Sequence, residues 1–570
     1  MPPSATELPW WKRTTVYQIY PRSFADANAD GIGDLAGILH RLDYVHRLGV
    51  ETIWFSPFYG SPQADFGYDI SDYFAVASEY GSLADCRRLI DEIHARGMRV
   101  VFDMVLNHTS DQHPWFQESR ASATSPKRDF YLWRPGRKGG TAPPNNWRSM
   151  LGGSGWHRDA RTGEWYWASF LPFQPDLNYR HPEVKRAMLD VVRYWLGEGV
   201  DGLRLDIFNA IYKDASFADN PRSLRPLPSE DNPAGFFQRP LHTIDHPDTI
   251  AFARELRAVV DEFQDPPRFL VGEVFGKPRV LKEYCGAAAD GLHMVFLFQT
   301  MRTRFRAAAM RHLIAELERE LPAPLLPTWT FGNHDRPRVL DRLQNDPRQA
   351  KLLATLQLTV RGVPFIYYGD EIGMGHRDAA PHEVRDPLAG RFRRVPAWLA
   401  RRLRKRGILL NRDASRRPMQ WDASLHAGFA APEVATTWLP VDPEHATVNV
   451  AAQHDDPASL LSCYRRLLAL RAASPALHGG ALHLLAVPRR LRSVLAYRRT
   501  HEDAGTREVA HVFLNFSARP RTIDLGAYAH ERIHSSLADE PRGPEQRYTL
   551  AAFEGIVLLG RPELVTPTCS

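Results

Sequence analysis

Short runs of apolar, β-branched or aromatic residues recur along the chain, and amphipathic stretches separate them. The runs predict strands at Thr15–Tyr20, Thr52–Phe55, Arg99–Met104, Gly202–Asp206, Phe269–Glu273, Leu292–Phe298, Thr328–Phe331 and Phe365–Tyr368. Helical spacing predicts helices at Leu35–Leu48, Leu83–Ala95, Pro182–Leu196, Thr249–Phe263, Met301–Leu321 and Pro347–Leu358. Strands that are apolar almost throughout, alternating with helices, belong to a parallel sheet covered on both faces. Eight such units predict an α/β fold, a (β/α)8 TIM barrel, with its site at the C-terminal ends of the strands.

Two stretches break the alternation. From His108 to Asn178 the chain is rich in Gly, Pro, Trp and Asn and lacks helical periodicity, so an irregular subdomain is inserted after strand 3. Tyr212 to His246 is a second, polar and Pro-rich insert, and such loops wall a site. Beyond Ala481 short alternating runs (Ser493–Arg498, Glu508–Asn515, Gly555–Leu559) predict a C-terminal antiparallel β domain. The expected organisation is a barrel of residues 1–107 and 179–480, an insert of residues 108–178, and a β domain of residues 481–570.

Asp206, Glu273 and Asp335 each stand at the end of one of these runs, which places three acids where the barrel rule places a site. Glycosidic cleavage through a covalent intermediate needs one ionised carboxylate and one protonated carboxylic acid. Arg204 lies two residues before Asp206, on the same face of the strand, and favours its charged form, so Asp206 suits a nucleophile. Glu273 has Gly272 and aliphatic neighbours locally; partial burial raises its pKa and suits an acid/base.

Composition adds mostly exclusions. The chain is 44% hydrophobic and 24% charged, with 72 Lys and Arg against 66 Asp and Glu, a net charge of +6. The charges are interspersed, which argues against nucleic acid. Only Arg391 to Arg406 is locally basic, and a solvated helix face accounts for it. Cys86, Cys285, Cys463 and Cys569 form no metal or disulfide pattern, so a reducing, cytoplasmic setting is expected. The N-terminal segment lacks a signal-peptide core, and no run approaches about 18 apolar residues, so no membrane partner is expected.

The stretch Asp26-Ala-Asn28-Ala-Asp30-Gly31-Ile32-Gly33-Asp34 carries oxygen donors at alternating positions around a glycine turn, which suits a hard cation. It is not an EF-hand, because Gly37 stands where the bidentate Glu belongs. A polar turn without metal is the competing reading.

Four segments stand in order: Asp103-Met-Val-Leu-Asn107-His108, Gly202-Leu-Arg204-Leu-Asp206, Gly272-Glu273-Val274 and Asn333-His334-Asp335. They resemble the four signature regions of glycoside hydrolase family 13, the α-amylase superfamily. Gln174-Pro-Asp-Leu-Asn178 and Arg416-Arg-Pro-Met-Gln-Trp-Asp422 resemble motifs of its α-glucosidase and oligo-1,6-glucosidase branch, as does the opening Trp-Trp-Lys with Val-Tyr-Gln-Ile-Tyr-Pro-Arg-Ser-Phe. The resemblance covers residues 8 to 480 and implies Asp206 as nucleophile, Glu273 as acid/base and Asp335 as transition-state stabiliser. It implies Tyr68, Asp69, His108, Phe170, Gln174, Arg204, His334 and Arg416 as substrate-binding residues, with an Asp69–Arg416 ion pair that enforces exo action. Asp103 and Asn107 are read as structural supports. It further implies a structural Ca²⁺, in some relatives Mg²⁺, held by Asp26, Asn28, Asp30, the Ile32 carbonyl and Asp34. The chain departs from the family at Leu151, where many relatives carry Phe, and at Ile207, where Val accompanies α-1,6 and Thr α-1,4 specificity. The implied activity is an exo-acting, retaining α-glucosidase on small α-glucosides, maltose-type first and isomaltose-type next, with transglucosylation as a side path. Trehalose synthase and sucrose-acting relatives are the enzymatic alternative, and an inactive transporter partner the non-enzymatic one. The tryptophans of the insert (Trp115, Trp133, Trp147, Trp156, Trp165, Trp167) either line further subsites or pack the subdomain. Monomer and homodimer both remain open.

Overall fold

A computed structural model describes residues 8–229, 232–377, 382–392, 395–404, 409–503, 505–560 and 563–564. Part of the Arg391–Arg406 stretch, Cys569 and the first seven residues lie outside them. Eight parallel strands make one sheet: β1 (Val16–Ile19), β2 (Thr52–Phe55), β3 (Arg99–Met104), β4 (Gly202–Leu205), β5 (Phe269–Gly272), β6 (Met294–Val295), β7 (Thr328–Thr330) and β8 (Val363–Tyr367). Their order, β6-β5-β4-β3-β2-β1-β8-β7, is chain order carried round a ring, as a (β/α)8 barrel requires. All eight bury nearly every residue, which is why their sequences read as apolar throughout.

The chain divides into two compact units: residues 1–53, 96–98 and 299–570, and residues 54–95 and 99–298. In the second unit, parallel pairing sets Asp103 of β3 beside Arg204 of β4, and Arg204 beside Val271 of β5. Gly202 permits that approach, because a Cβ there would stand 2.6 Å from the Phe269 ring. The inserted subdomain holds a helix, Pro114–Ser119, and a small sheet of Trp133–Arg134, Trp165–Trp167 and Trp156–Arg158. Its core is Leu132, Trp147, Trp156 and Trp167, with Trp147 stacked on Trp156 at 5.9 Å and on Phe217 of the second insert at 5.2 Å. Those tryptophans pack the subdomain.

In the first unit, α1 (Leu35–Leu48) begins where the Asp34 carboxylate accepts the Gly37 N–H and ends at Gly49 in the left-handed region. Beyond α2 (Leu460–Ala473) comes the strand Ala481–Leu484, followed by a hairpin of two ten-residue strands that pairs Val494 with Asn515 through Asp503 with Thr506. Val494, Ala496, Phe513, Ile533, Ile556 and Leu558 form its core.

Several boundaries differ from the sequence reading. The expected Leu292–Phe298 strand shrinks to Met294–Val295; the Phe296 N–H makes the last bond to β5, at the Gly272 carbonyl, and the Phe296 and Phe298 rings lie 6.1 Å apart. The expected Met301–Leu321 helix is two, Gln299–Arg302 and Ala307–Glu320; in the break Phe305 packs on Phe516 at 4.8 Å. The helix expected from Thr249 begins at Pro247, where His246 caps the Asp248 N–H. The strand expected from Phe365 begins at Val363. Among the described residues no helix is long and apolar enough to cross a membrane, and Cys86, Cys285 and Cys463 are free and buried.

Candidate active site

In the second unit the site is built on one arginine. Arg204, 1% exposed, donates from Nη1 to Asp103 Oδ1 and to Asp206 Oδ1, each at 2.7 Å, and from Nη2 to Glu273 Oε2. Asp103 reaches it by strand register, Asp206 by the two-residue alternation of β4, and Glu273 from the first position after β5. The guanidinium lies over the Trp54 ring at 5.4 Å and the Phe296 ring at 6.0 Å. Tyr68 donates its hydroxyl to the second oxygen of Asp103 at 3.1 Å.

The sequence reading gives Arg204 to Asp206 and leaves Glu273 among aliphatic neighbours. The structure corrects this: Arg204 serves three carboxylates. Burial pushes the Asp206 carboxyl up to about 6, against the pull of Arg204 and with the charge of Asp103 adding to the rise. Asp103 is likewise raised by burial to about 6. One guanidinium cannot neutralise three carboxylates, so the cluster favours holding a proton among them. A side-chain hydrogen bond with Glu273 acts the other way and lowers the Asp206 pKa.

His108 follows β3 and is buried; its Nε2 meets the Tyr68 carbonyl at 3.1 Å, and burial lowers its pKa, which favours the neutral ring. Phe170 lies 5.7 Å from the His108 ring, and Gln174 Nε2 donates to Asp65 Oδ2 at 3.2 Å and to the Tyr68 carbonyl at 3.4 Å. Beneath His108, Asn107 binds Asp176, and Lys213 reaches Asn107 Oδ1 at 2.8 Å and pairs with Asp176. Lys213 was missed by sequence reasoning; its only signal was a lone cation closing the apolar stretch after Asp206. Asp69, fully buried, accepts the Ala64 and Asp65 amides at 2.9 Å and the Ser61 hydroxyl at 3.1 Å, and burial raises it to about 6. The turn that places it requires Gly67 at φ 102°, where a Cβ would meet the Pro57 carbonyl at 2.4 Å.

In the first unit Asp335 follows β7 and meets cations. Arg416 Nη2 donates to Asp335 Oδ1 at 2.8 Å, Arg412 Nη1 stands 3.4 Å from the same oxygen, and His334 Nε2 stands 3.2 Å from Oδ2. Within the first unit the carboxylate that Arg416 meets is Asp335. Arg416 Nε also donates to the His334 carbonyl at 3.1 Å. His334 is held by Gln18 at 2.8 Å and stacked on Tyr20 at 5.8 Å, two supports the sequence did not single out. Burial opposes ionisation of Asp335, but the positive charges of His334, Arg412 and Arg416 hold its carboxyl well below the usual range.

In the loop at residues 26–34, also in the first unit, Asp26 accepts the Ala29 and Gly31 amides at 2.8 Å, Asn28 the Asp30 amide at 3.0 Å, Asp30 the Ile32 amide at 2.8 Å, and Asp34 the Ala27 amide at 3.0 Å. The donors are all oxygen, and burial together with the charges of Asp30 and Asp34 raises the Asp26 pKa, so the set fits a hard cation. Among the described residues no three His, Cys, Asp or Glu side chains are gathered into a ready metal cluster, so the loop is a donor set and not a preformed cage.

Residues 18–480 match the family model for the α-amylase catalytic domain. A probable α-glucosidase of Rhizobium meliloti (strain 1021) is 39% identical over 530 residues, 90% of this chain and 91% of its own. An oligo-1,6-glucosidase of Parageobacillus thermoglucosidasius is 38% identical over 492 residues, 82% of this chain and 84% of its own. Among solved structures, the α-glucosyl transfer enzyme XgtA superposes with a TM-score of 0.84 at 37% identity, over 97% of this chain and all of the other. With the barrel and the buried acid cluster already in view, these likenesses make the chain a glycoside hydrolase that belongs to the α-amylase family, in its α-glucosidase and oligo-1,6-glucosidase branch.

Proposed function

We propose that the chain is an exo-acting, retaining α-glucosidase that releases terminal glucose from short α-glucosides, maltose-type first and isomaltose-type next. The observation that supports it most is the sharing of Arg204 by Asp206 and Glu273, which puts two carboxyl groups on one guanidinium. Retaining chemistry needs two carboxyl groups close together, about 5–5.5 Å apart. In the first step Asp206 attacks the anomeric carbon while Glu273 protonates the glycosidic oxygen, so one C–O bond forms as the other breaks. In the second, Glu273 takes a proton from water, which displaces Asp206 and frees α-glucose. An acceptor sugar in place of that water gives transglucosylation. Asp335, ionised under all ordinary conditions by its cations, is the group suited to positive charge on the sugar ring. Tyr68, Asp69, His108, Phe170, Gln174, His334 and Arg416 bind the sugar. The loop of Asp26, Asn28, Asp30, Ile32 and Asp34 holds Ca²⁺ or Mg²⁺ as a brace, apart from the chemistry.

The test is product analysis on maltose, isomaltose, trehalose and sucrose, with the anomer of released glucose read by NMR. Initial α-glucose is expected, fastest from maltose, and lost in Asp206→Asn. Initial β-glucose, or isomerisation of a disaccharide without net glucose release, overturns the proposal.

A further inference from the structure

We infer that Glu273 gives up its proton from Oε1, and that the Ile207 N–H, aimed by a left-handed backbone turn, is a positioning group that fixes this choice. The inference rests on the acid/base role proposed for Glu273.

Glu273 Oε2 accepts two N–H groups, from Arg204 Nη2 and from the Ile207 amide at 3.2 Å. A neutral carboxyl has one hydroxyl oxygen and one acceptor oxygen. An oxygen that already faces two N–H donors is the acceptor, so the proton sits on Oε1. Arg204 alone does not fix this, since its fork is also committed to Asp103 and Asp206. The backbone amide is the donor with no other duty.

Reaching Oε2 requires an unusual turn. Ile207 has φ 39° and ψ 46°, a region that β-branched residues avoid. Its side chain, 2% exposed, is locked in a cluster with Ala210 and Ile244 against Met150, Phe170 and Phe275. The next amide, Phe208 N–H, donates to the Glu273 backbone carbonyl at 2.8 Å. Two consecutive amides after the nucleophile thus grip the acid, one by its carboxyl and one by its backbone. Backbone strain of this kind persists where the surroundings hold it and belongs to functional sites. Arg204, Asp206 and Asp103 are charged groups that face Glu273 among the described residues of this unit. The amide opposes both acids by favouring the glutamate ion, so its removal raises the pKa of the acid.

The test replaces the amide at position 207 with an ester by incorporating the α-hydroxy analogue of isoleucine, which deletes the N–H and keeps the side chain. The basic limb of the kcat/KM profile is expected to move up by roughly half to one pH unit. Turnover of unactivated glucosides is expected to fall more than that of dinitrophenyl glucoside, whose leaving group needs no proton. The same ester at position 208 is expected to leave the basic limb in place. An unmoved limb for the first ester, or equal shifts for both, overturns the inference. Neutron diffraction of the unmodified enzyme, which needs no variant to fold, is expected to place the deuteron on Oε1; a deuteron on Oε2 overturns it as well. Glu273→Gln keeps the two failures apart: if it spares unactivated substrates, the acid/base assignment itself is wrong.

Discussion

Asp206 and Asp335 are the same residue in opposite electrostatic company. Around Asp206 three carboxylates share one guanidinium, and burial wins: its pKa rises to about 6. Around Asp335 two guanidiniums and the His334 imidazole share one carboxylate, and the ion wins despite burial. The first arrangement keeps a mobile proton near neutral pH; the second keeps a fixed negative charge. A retaining glycosidase has use for both, a proton to lend and a charge to set against the sugar cation.

The sharpest way to break the contrast is to remove the guanidinium. Arg204→Met leaves Asp103, Asp206 and Glu273 buried without their cation, which is expected to destabilise the fold by about 3–5 kcal/mol. The remedy open to the variant is protonation, so its deficit relative to wild type is expected to shrink as pH falls from 8 to 5. Urea unfolding across that range measures it. A deficit independent of pH would mean that packing on Trp54 and Phe296, not charge, is what Arg204 supplies.

That arginine also marks how far the sequence is legible. Its link to Asp206 follows from alternation along one strand. Its links to Asp103 and Glu273 depend on which residues three neighbouring strands set side by side, and no local pattern carries that register. The barrel strands were readable because each is buried on both faces; β6 was not, because an apolar run rich in Phe looks the same whether it is laddered or packed in an aromatic cluster. Asp69 and Arg416, the two residues of the expected pair, are both buried. Within their own units Asp69 accepts backbone amides and Arg416 donates to Asp335. Lys213 escaped because its one signal, a lone cation closing the apolar stretch after Asp206, does not name the Asp176 it pairs with.

A pair of isosteric variants tests the contrast at smaller amplitude. Both Asp206→Asn and Asp335→Asn are expected to lose activity, but their stabilities move in opposite directions. The folded Asp206 pKa of about 6 lies above the unfolded value, so ionising it opposes folding as pH rises through 4 to 6 and fully above 6. Asp206→Asn is then expected to gain about 2 kcal/mol at pH 8 and nothing near pH 4. The folded Asp335 pKa lies below the unfolded one, so its contribution is present above about pH 4 and lost as pH falls. Asp335→Asn, which leaves Arg416 without its anion, is expected to lose roughly 1–3 kcal/mol at pH 8 and progressively less in acid. Thermal unfolding at pH 4.5 and 8 distinguishes the signs, and a shift in the same direction for both would show that side-chain shape rather than charge sets them.

The loop at residues 26–34 is the intermediate case, three carboxylates whose hydrogen bonds among the described residues go to backbone amides or to Asn28 and to no side-chain cation. Asp26 is raised by burial and by its own neighbours, the Asp206 situation without an Arg204. The divalent ion proposed for this loop would supply the missing charge, and one present at a hundred times its Kd would add about 2.7 kcal/mol to the folded state. Chelation is therefore expected to lower Tm by about 2–4 °C while leaving the initial rate on maltose unchanged below the transition, because the brace and the acid cluster answer to different charges. Asp30→Asn is expected to lose most of the response to added Ca²⁺. If Tm is the same with Ca²⁺ and with chelator, the loop's amides alone balance its carboxylates, and a cluster of acids in this protein does not need a cation to be stable.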